Sequence, residues 1–230
     1  MSATASRPAP EQSPGSAWNW RSFAIRFGLT ALALVIWFWT QSLIESRGGA
    51  SVAIYDALHQ LTAPLNGYLH VHPSAANALL IVSSAIIDLL GIFLLARWLF
   101  GASLRPFLAL VIVLGLRQIM QALIALPAPP NAIWHYPGFP SLLVTYGVSN
   151  DYFFSGHTAI AVLGAAGLAR CARRWLTALG VCIVFFEVAT VLALRAHYTM
   201  DVFTGAVTGL CSVYLADYLS RAITQKQQAA

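Results

Sequence analysis

Residues 77–99 read NALLIVSSAIIDLLGIFLLARWL, an apolar run interrupted by two charges, Asp88 and Arg97. As a helix such a run extends about 34 Å at 1.5 Å per residue. That is enough to cross the ~30 Å hydrocarbon core of a bilayer. Comparable runs occupy about 22–44, 105–126, 154–170, 174–194 and 202–219. The chain is 58% hydrophobic and 9% charged, against about 25% charged in ordinary soluble domains. A soluble fold with this composition could not cover its core with polar surface. The expected fold class is all-α, a polytopic membrane protein built as a six-helix transmembrane bundle.

Outward from these runs, residues 1–20 are rich in Ser, Ala and Pro and are expected to form a disordered tail. The spanning domain is placed at 21–220, with a second short tail at 221–230. The first run carries Trp37 and Trp39, exceeds a signal-peptide core in length and has no small-residue cleavage site after it. It therefore reads as an uncleaved span. Cys171, Cys182 and Cys211 have neither the spacing nor the placement of a disulfide framework or zinc site.

Arg7, Arg21, Arg26, Arg97, Arg105, Arg170, Arg173, Arg174, Arg221 and Lys226 all fall on one side of the bundle. By the positive-inside rule that side is cytoplasmic, as are both termini. The expected site of the chain is an inner (cytoplasmic) membrane, with the connections at 45–76, 127–153 and 195–201 facing outward. The formal charge of +5 then reports topology, and no nucleic-acid partner is expected.

Two polar clusters sit at outward ends of spans. The first, 150–158, reads NDYFFSGHT; the second, 195–201, reads RAHYTMD. Ser155 suits a helix N-cap, and Gly156 lets an anion approach the backbone closely. Free N–H groups at a helix start favour phosphate, and His157 then stands in the first turn. The same residues also fit a plainly capped helix start with an interfacial histidine. His197 and Asp201 are spaced i,i+4 and share one helix face. An aspartate there can fix the imidazole tautomer and leave Nε2 as a nucleophile. It can equally cap a helix, or the pair can bind zinc with further ligands; no ligand spacing points to zinc.

Together the clusters resemble the type 2 phosphatidic acid phosphatase superfamily, and more closely its sphingomyelin synthase-like branch with the related plant phosphatidylcholine:diacylglycerol cholinephosphotransferases. The matching motifs are Asp151-Tyr152-Phe153-Phe154-Ser155-Gly156-His157-Thr158 and His197-Tyr198-Thr199-Met200-Asp201. Arg117-Gln118-Ile119 through Leu126-Pro127-Ala128-Pro129 resembles that branch's arginine motif. The resemblance implies a headgroup phosphotransferase. His197 would form a phosphohistidine, Asp201 would orient it, and His157 would serve as acid and base. Ser155, Gly156, Thr158, Arg195, Arg117, Asp151, Tyr152 and Tyr198 would line the phosphate and substrate site. No metal or cofactor is implied. The partners would be membrane lipids, a phospholipid donor and a lipid-alcohol acceptor.

One departure bears on the substrate. The phosphatase branch carries a Lys-x6-Arg-Pro motif and an arginine six residues before the nucleophile. Here that position is Val191, and the lysine of the chain is Lys226 in the tail. A near-dianionic monoester demands several cationic donors; a diester demands fewer. Tyr146, Tyr152, Phe153, Phe154 and Tyr198 could face a choline-like ammonium or anchor the protein at headgroup depth. The rivals are a lipid phosphate phosphatase using the same residues and a non-catalytic lipid-binding or transport protein. Asp88, Arg117 and Glu187 lie inside spans, where ionisable groups usually pair. The plain expectation is one structural ion pair, Arg117 with Glu187 or Asp88, and a protonated spare carboxyl; the sharper one is a polar floor beneath the catalytic pocket.

Overall fold

The computed structural model describes residues 20–45, 54–146 and 152–229, and the expected tail at 1–19 lies outside them. The described residues form eight helices: α1 (Trp20–Glu45), α2 (Ala57–Leu61), α3 (Ala63–Val71), α4 (Pro73–Leu99), α5 (Arg105–Leu123), α6 (Gly156–Ala169), α7 (Arg174–Ala193) and α8 (Thr199–Ala229). Five of these, α1, α4, α5, α7 and α8, are long and apolar enough to cross a membrane. With the shorter apolar α6 they account for the six runs, and the chain is a multi-pass helical membrane protein. α8 runs on through Ala229, so the expected tail from 221 is a continuation of the last span.

α6 is the centre of the bundle and packs against α4, α5, α7 and α8, while α1 lies against α4 and α5. Small residues set these crossings, as expected where helices associate by close packing rather than by a hydrophobic drive. A Cβ on Gly180 would meet Ala165 Cα at 2.8 Å, and one on Gly209 would meet Val162 Cβ at 3.1 Å. A Cβ on Gly205 would fall well inside contact of the Ser155 carbonyl oxygen. Gly205 and Gly209 are four apart on α8, so one bare stripe of α8 seats the start of α6.

α6 has 14 residues, or about 21 Å of rise, whereas the 20 residues of α7 extend about 30 Å. A short turn joins the two at one end. α7 is thus about 9 Å longer than α6. The connection after α5 reaches the start of α6, where Val144 and Thr145 line a cavity with Gly156 and His157. Its segment 141–146 dips back along α4: Ser141 Oγ and the Leu142 and Leu143 N–H groups donate to the Asp88 carboxylate at 2.9, 2.8 and 2.9 Å. Tyr146 shares a hydrogen bond with Ser84, and Leu143 packs where a side chain on Gly91 would stand. Backbone at membrane depth must have its polar groups satisfied by protein, and Asp88 supplies that.

The expected ion pair is therefore corrected. Asp88 serves the re-entrant segment, Glu187 accepts from Ser83 Oγ at 2.6 Å, and Arg117 donates to Gln41 Oε1 at 2.9 Å.

The glycine stripe gives a paired test. Gly205→Ala forces α8 away from the Ser155 backbone and should cost about 1–3 kcal/mol, as overpacking does. Gly28→Ala on α1 meets nothing within 4 Å and should be neutral or gain up to about 1 kcal/mol of helix propensity. Thermal unfolding in detergent measures both; equal melting temperatures would remove the stripe's packing role.

Candidate active site

Ser155 caps α6 as its spacing predicts, with its Oγ accepting from Thr158 N and lying 3.0 Å from Thr158 Oγ1. Both residues are fully buried. The preceding Phe154 has φ +81°, a left-handed conformation costly for a bulky side chain. That turn directs the Ser155 N–H to the Asp201 carbonyl at 3.0 Å, so the starts of α6 and α8 are tied backbone to backbone. His157 follows in the first turn of α6, 6% exposed. Its ring meets Trp134 edge-on at 5.3 Å, and its Nε2 is buried with no hydrogen-bond partner among the described residues.

His197 arrives by another route. α7 ends in a Schellman turn: Ala196 N–H donates to Val191 O and Arg195 N–H to Leu192 O. The left-handed position of this motif, usually glycine, is Arg195 at φ +52°. Its guanidinium explains the exception. It donates to Pro130 O at 2.8 Å and His59 O at 3.2 Å, tying the α5–α6 connection and α2 to the turn. Arg195 thus braces backbone through both Nη atoms, while its Nε has no hydrogen-bond partner among the described residues.

The His197 ring is oriented by backbone. Its Nδ1 lies 3.0 Å from the Tyr152 carbonyl. A carbonyl only accepts, so Nδ1 carries a proton, and in the neutral ring the lone pair is then on Nε2. Asp201 was expected to do this job. Instead its Oδ2 accepts from Tyr198 N at 2.9 Å, capping α8 from its third residue, and no hydrogen bond joins it to His197. The capping alternative noted for this aspartate is the arrangement observed.

Arg117 on α5 and His157 on α6 lie close to one another, with His197 in the turn between α7 and α8. The Arg117 Nε lies 3.5 Å from where a Gly156 Cβ would stand, so the guanidinium faces the amino end of α6 from α5. His157 is within electrostatic range of both Arg117 and His197. A cavity of about 50 Å³ lies here, lined by Arg117, Gly156, His157, Val144, Thr145 and Trp37 among others. That is room for several water-sized groups. It shares Trp37, Leu114 and Leu143 with an apolar groove of about 380 Å³ between α1, α4 and α5.

Asp151 lies outside the described residues. Tyr152 contributes its carbonyl, and Tyr198 is buried with its ring stacked on His59 at 5.5 Å. Among the described residues no three His, Cys, Asp or Glu side chains gather as a metal site would require.

Sequence reasoning missed the α2–α3 cap. Asp56 caps α2 through Leu58 N and His59 N, and also receives Thr199 N and Thr199 Oγ1, both at 2.6 Å. His59 Nε2 donates to the His197 carbonyl at 2.9 Å. Asn66 Nδ2 donates to Ala193 O at 2.9 Å. The signal available was Asp56 standing just before a short helical segment, a standard N-cap pattern; its partner 143 residues away left no trace in the pattern.

A family model described as AtPDCT1/2 matches residues 55–218, most of the chain and every motif named above. The chain belongs to that family. It is similar to phosphatidylcholine:diacylglycerol cholinephosphotransferase 1 of Arabidopsis thaliana, 24% identical over 156 residues, which covers 68% of this chain and 50% of that protein. The chain thus spans about half the length of the curated relative it matches.

The Asp56 clamp has a pH signature. Burial alone would raise its pKa, but the bonds from Thr199 and His59 outweigh burial and hold it below the ordinary 3.8. A carboxylate lowered in the folded state stabilises fully above its unfolded value and loses that contribution as pH falls through the lowered one. Asp56→Asn should unfold at lower temperature at pH 7, and the gap to the native chain should narrow below about pH 4. A gap independent of pH would show that the charge contributes nothing.

Proposed function

We propose that this member of the AtPDCT1/2 family moves a phosphate-linked headgroup between lipid alcohols through a phosphohistidine on His197, as in the sphingomyelin synthase-like branch. The observation that carries the reading is the cavity where Arg117 and His157 meet the amino end of α6, beside an apolar groove that shares Trp37, Leu114 and Leu143 with it. Phosphatidylcholine and diacylglycerol are the proposed substrates, by analogy with the relative's name.

In the first half-reaction His197 Nε2 attacks phosphorus and the P–O bond to the departing lipid breaks. His157 Nε2 gives its proton to the alkoxide released. In the second, the acceptor hydroxyl passes its proton to His157 and attacks the phosphohistidine, breaking the P–N bond. His157 returns to its starting state, the general acid–base cycle of covalent transfer. Arg117 and the free N–H groups of α6 hold the phosphoryl oxygens. Arg195, occupied by two carbonyls, is left out of the phosphate site. Asp201 acts as a positioning residue by capping α8.

A cavity with one lining arginine suits the single negative charge of a diester better than the dianion of a phosphomonoester. An apolar approach also excludes water, which suppresses hydrolysis of the intermediate. Both favour transfer over the phosphatase rival. The arginine-rich end of the bundle is assigned to the cytoplasmic side, placing the site on the opposite face.

His157→Ala and His197→Ala should each abolish transfer of labelled phosphocholine from phosphatidylcholine to diacylglycerol in mixed micelles. His197→Ala should also prevent trapping of the acid-labile phosphoryl-enzyme that the native chain forms. Asp201→Asn keeps an acceptor for Tyr198 N and should retain more activity than Asp201→Ala. Rapid phosphate release from phosphatidic acid without headgroup exchange would hand the site to the phosphatase reading, and an active His197→Ala would remove the nucleophile.

A further inference from the structure

A second cavity, of about 340 Å³, opens at the end of the bundle opposite the active site, between α4, α5, α6 and α8. Its polar lining comes from four segments: Arg97, Ser103 and Arg105, Arg170, and Asp217. The Asp217 carboxylate is shared, with Arg170 Nη2 at 2.5 Å and Arg105 Nε at 3.6 Å. Arg97 Nη1 points at the Cys171 sulfur, 3.6 Å away, a weak acceptor. Three guanidinium groups thus face one carboxylate, an excess of two positive charges around a single opening.

The wall beneath is apolar, formed by Leu94, Ala109, Leu163, Val213 and Ala216. A cavity with an arginine rim and an apolar floor is amphipathic, and a soluble anion would match only the rim. The side chains of Arg105 and Arg170 remain 40% and 37% exposed, so their unused donors are accessible. Basic pockets between transmembrane helices suit anionic headgroups at this depth. We propose that this cavity binds an anionic phospholipid, its phosphate among Arg97, Arg105 and Arg170 and one acyl chain along the Leu94–Leu163 wall. The site is separate from the catalytic cavity and holds α5 and α8 together where Asp217 alone bridges the arginines.

The test uses the full chain in detergent, with phosphatidylglycerol, phosphatidylcholine and inorganic phosphate as probes. Phosphatidylglycerol should remain bound in native mass spectrometry and raise the melting temperature. His197→Ala should bind it equally well. The double variant Arg97→Gln, Arg105→Gln should retain it about tenfold less or worse, each basic residue near a charged lipid contributing appreciably. Arg97→Gln alone breaks no ion pair and serves if the double variant fails to fold; it too should weaken retention. Undiminished retention in the arginine variants, loss of retention in His197→Ala, or an equal thermal shift from inorganic phosphate would overturn the assignment.

Discussion

Backbone N–H groups cannot be left bare in hydrocarbon, and the Asp88 carboxylate is where this chain meets that constraint. By accepting from Ser141, Leu142 and Leu143, it lets a non-helical segment descend beside α4. The segment thereby reaches the amino end of α6, where Gly156 and His157 stand. Val144, Thr145 and Leu143 then wall the cavity. A mid-membrane carboxylate thus shapes the site.

Around the site, polar side chains are used mainly on backbone. Asp56 holds the start of α8, Arg195 ties the α5–α6 connection and α2 to the turn after α7, Asn66 holds the end of α7, and Asp201 caps its own helix. Each spans elements that would otherwise be free to shift, so the His197 ring is fixed from several sides. Such preorganisation is what transition-state stabilisation requires. It also explains why two bulky residues, Phe154 and Arg195, tolerate left-handed backbone: their neighbours over-determine the turn.

Much of this was legible in the sequence. Five of the six apolar runs correspond to helices long enough to cross a membrane and the sixth to the shorter α6, and residues 152–158 and 195–201 meet at one end of the bundle. Ser155 caps α6 as its residue type and position suggest. The failures share a cause. Sequence reasoning matched charges to charges, pairing Arg117 with Asp88 or Glu187 and assigning Asp201 to His197. The fold gave Asp88, Glu187 and Asp201 to amides and hydroxyls. Every residue carries such groups, so no pattern of residue types announces them. The shortened α6 was hidden for the same reason: residues 154–155 look like span until the turn and cap are seen.

The separation of Asp88 from its partners also orders the making of the protein. Ser141 follows Asp88 by 53 residues, so a ribosome delivers α4 to the membrane well before the amides that its carboxylate will hold. The bond from Thr199 to Asp56 closes later still, across 143 residues. The helical scaffold therefore exists before the bonds that fix the start of α8.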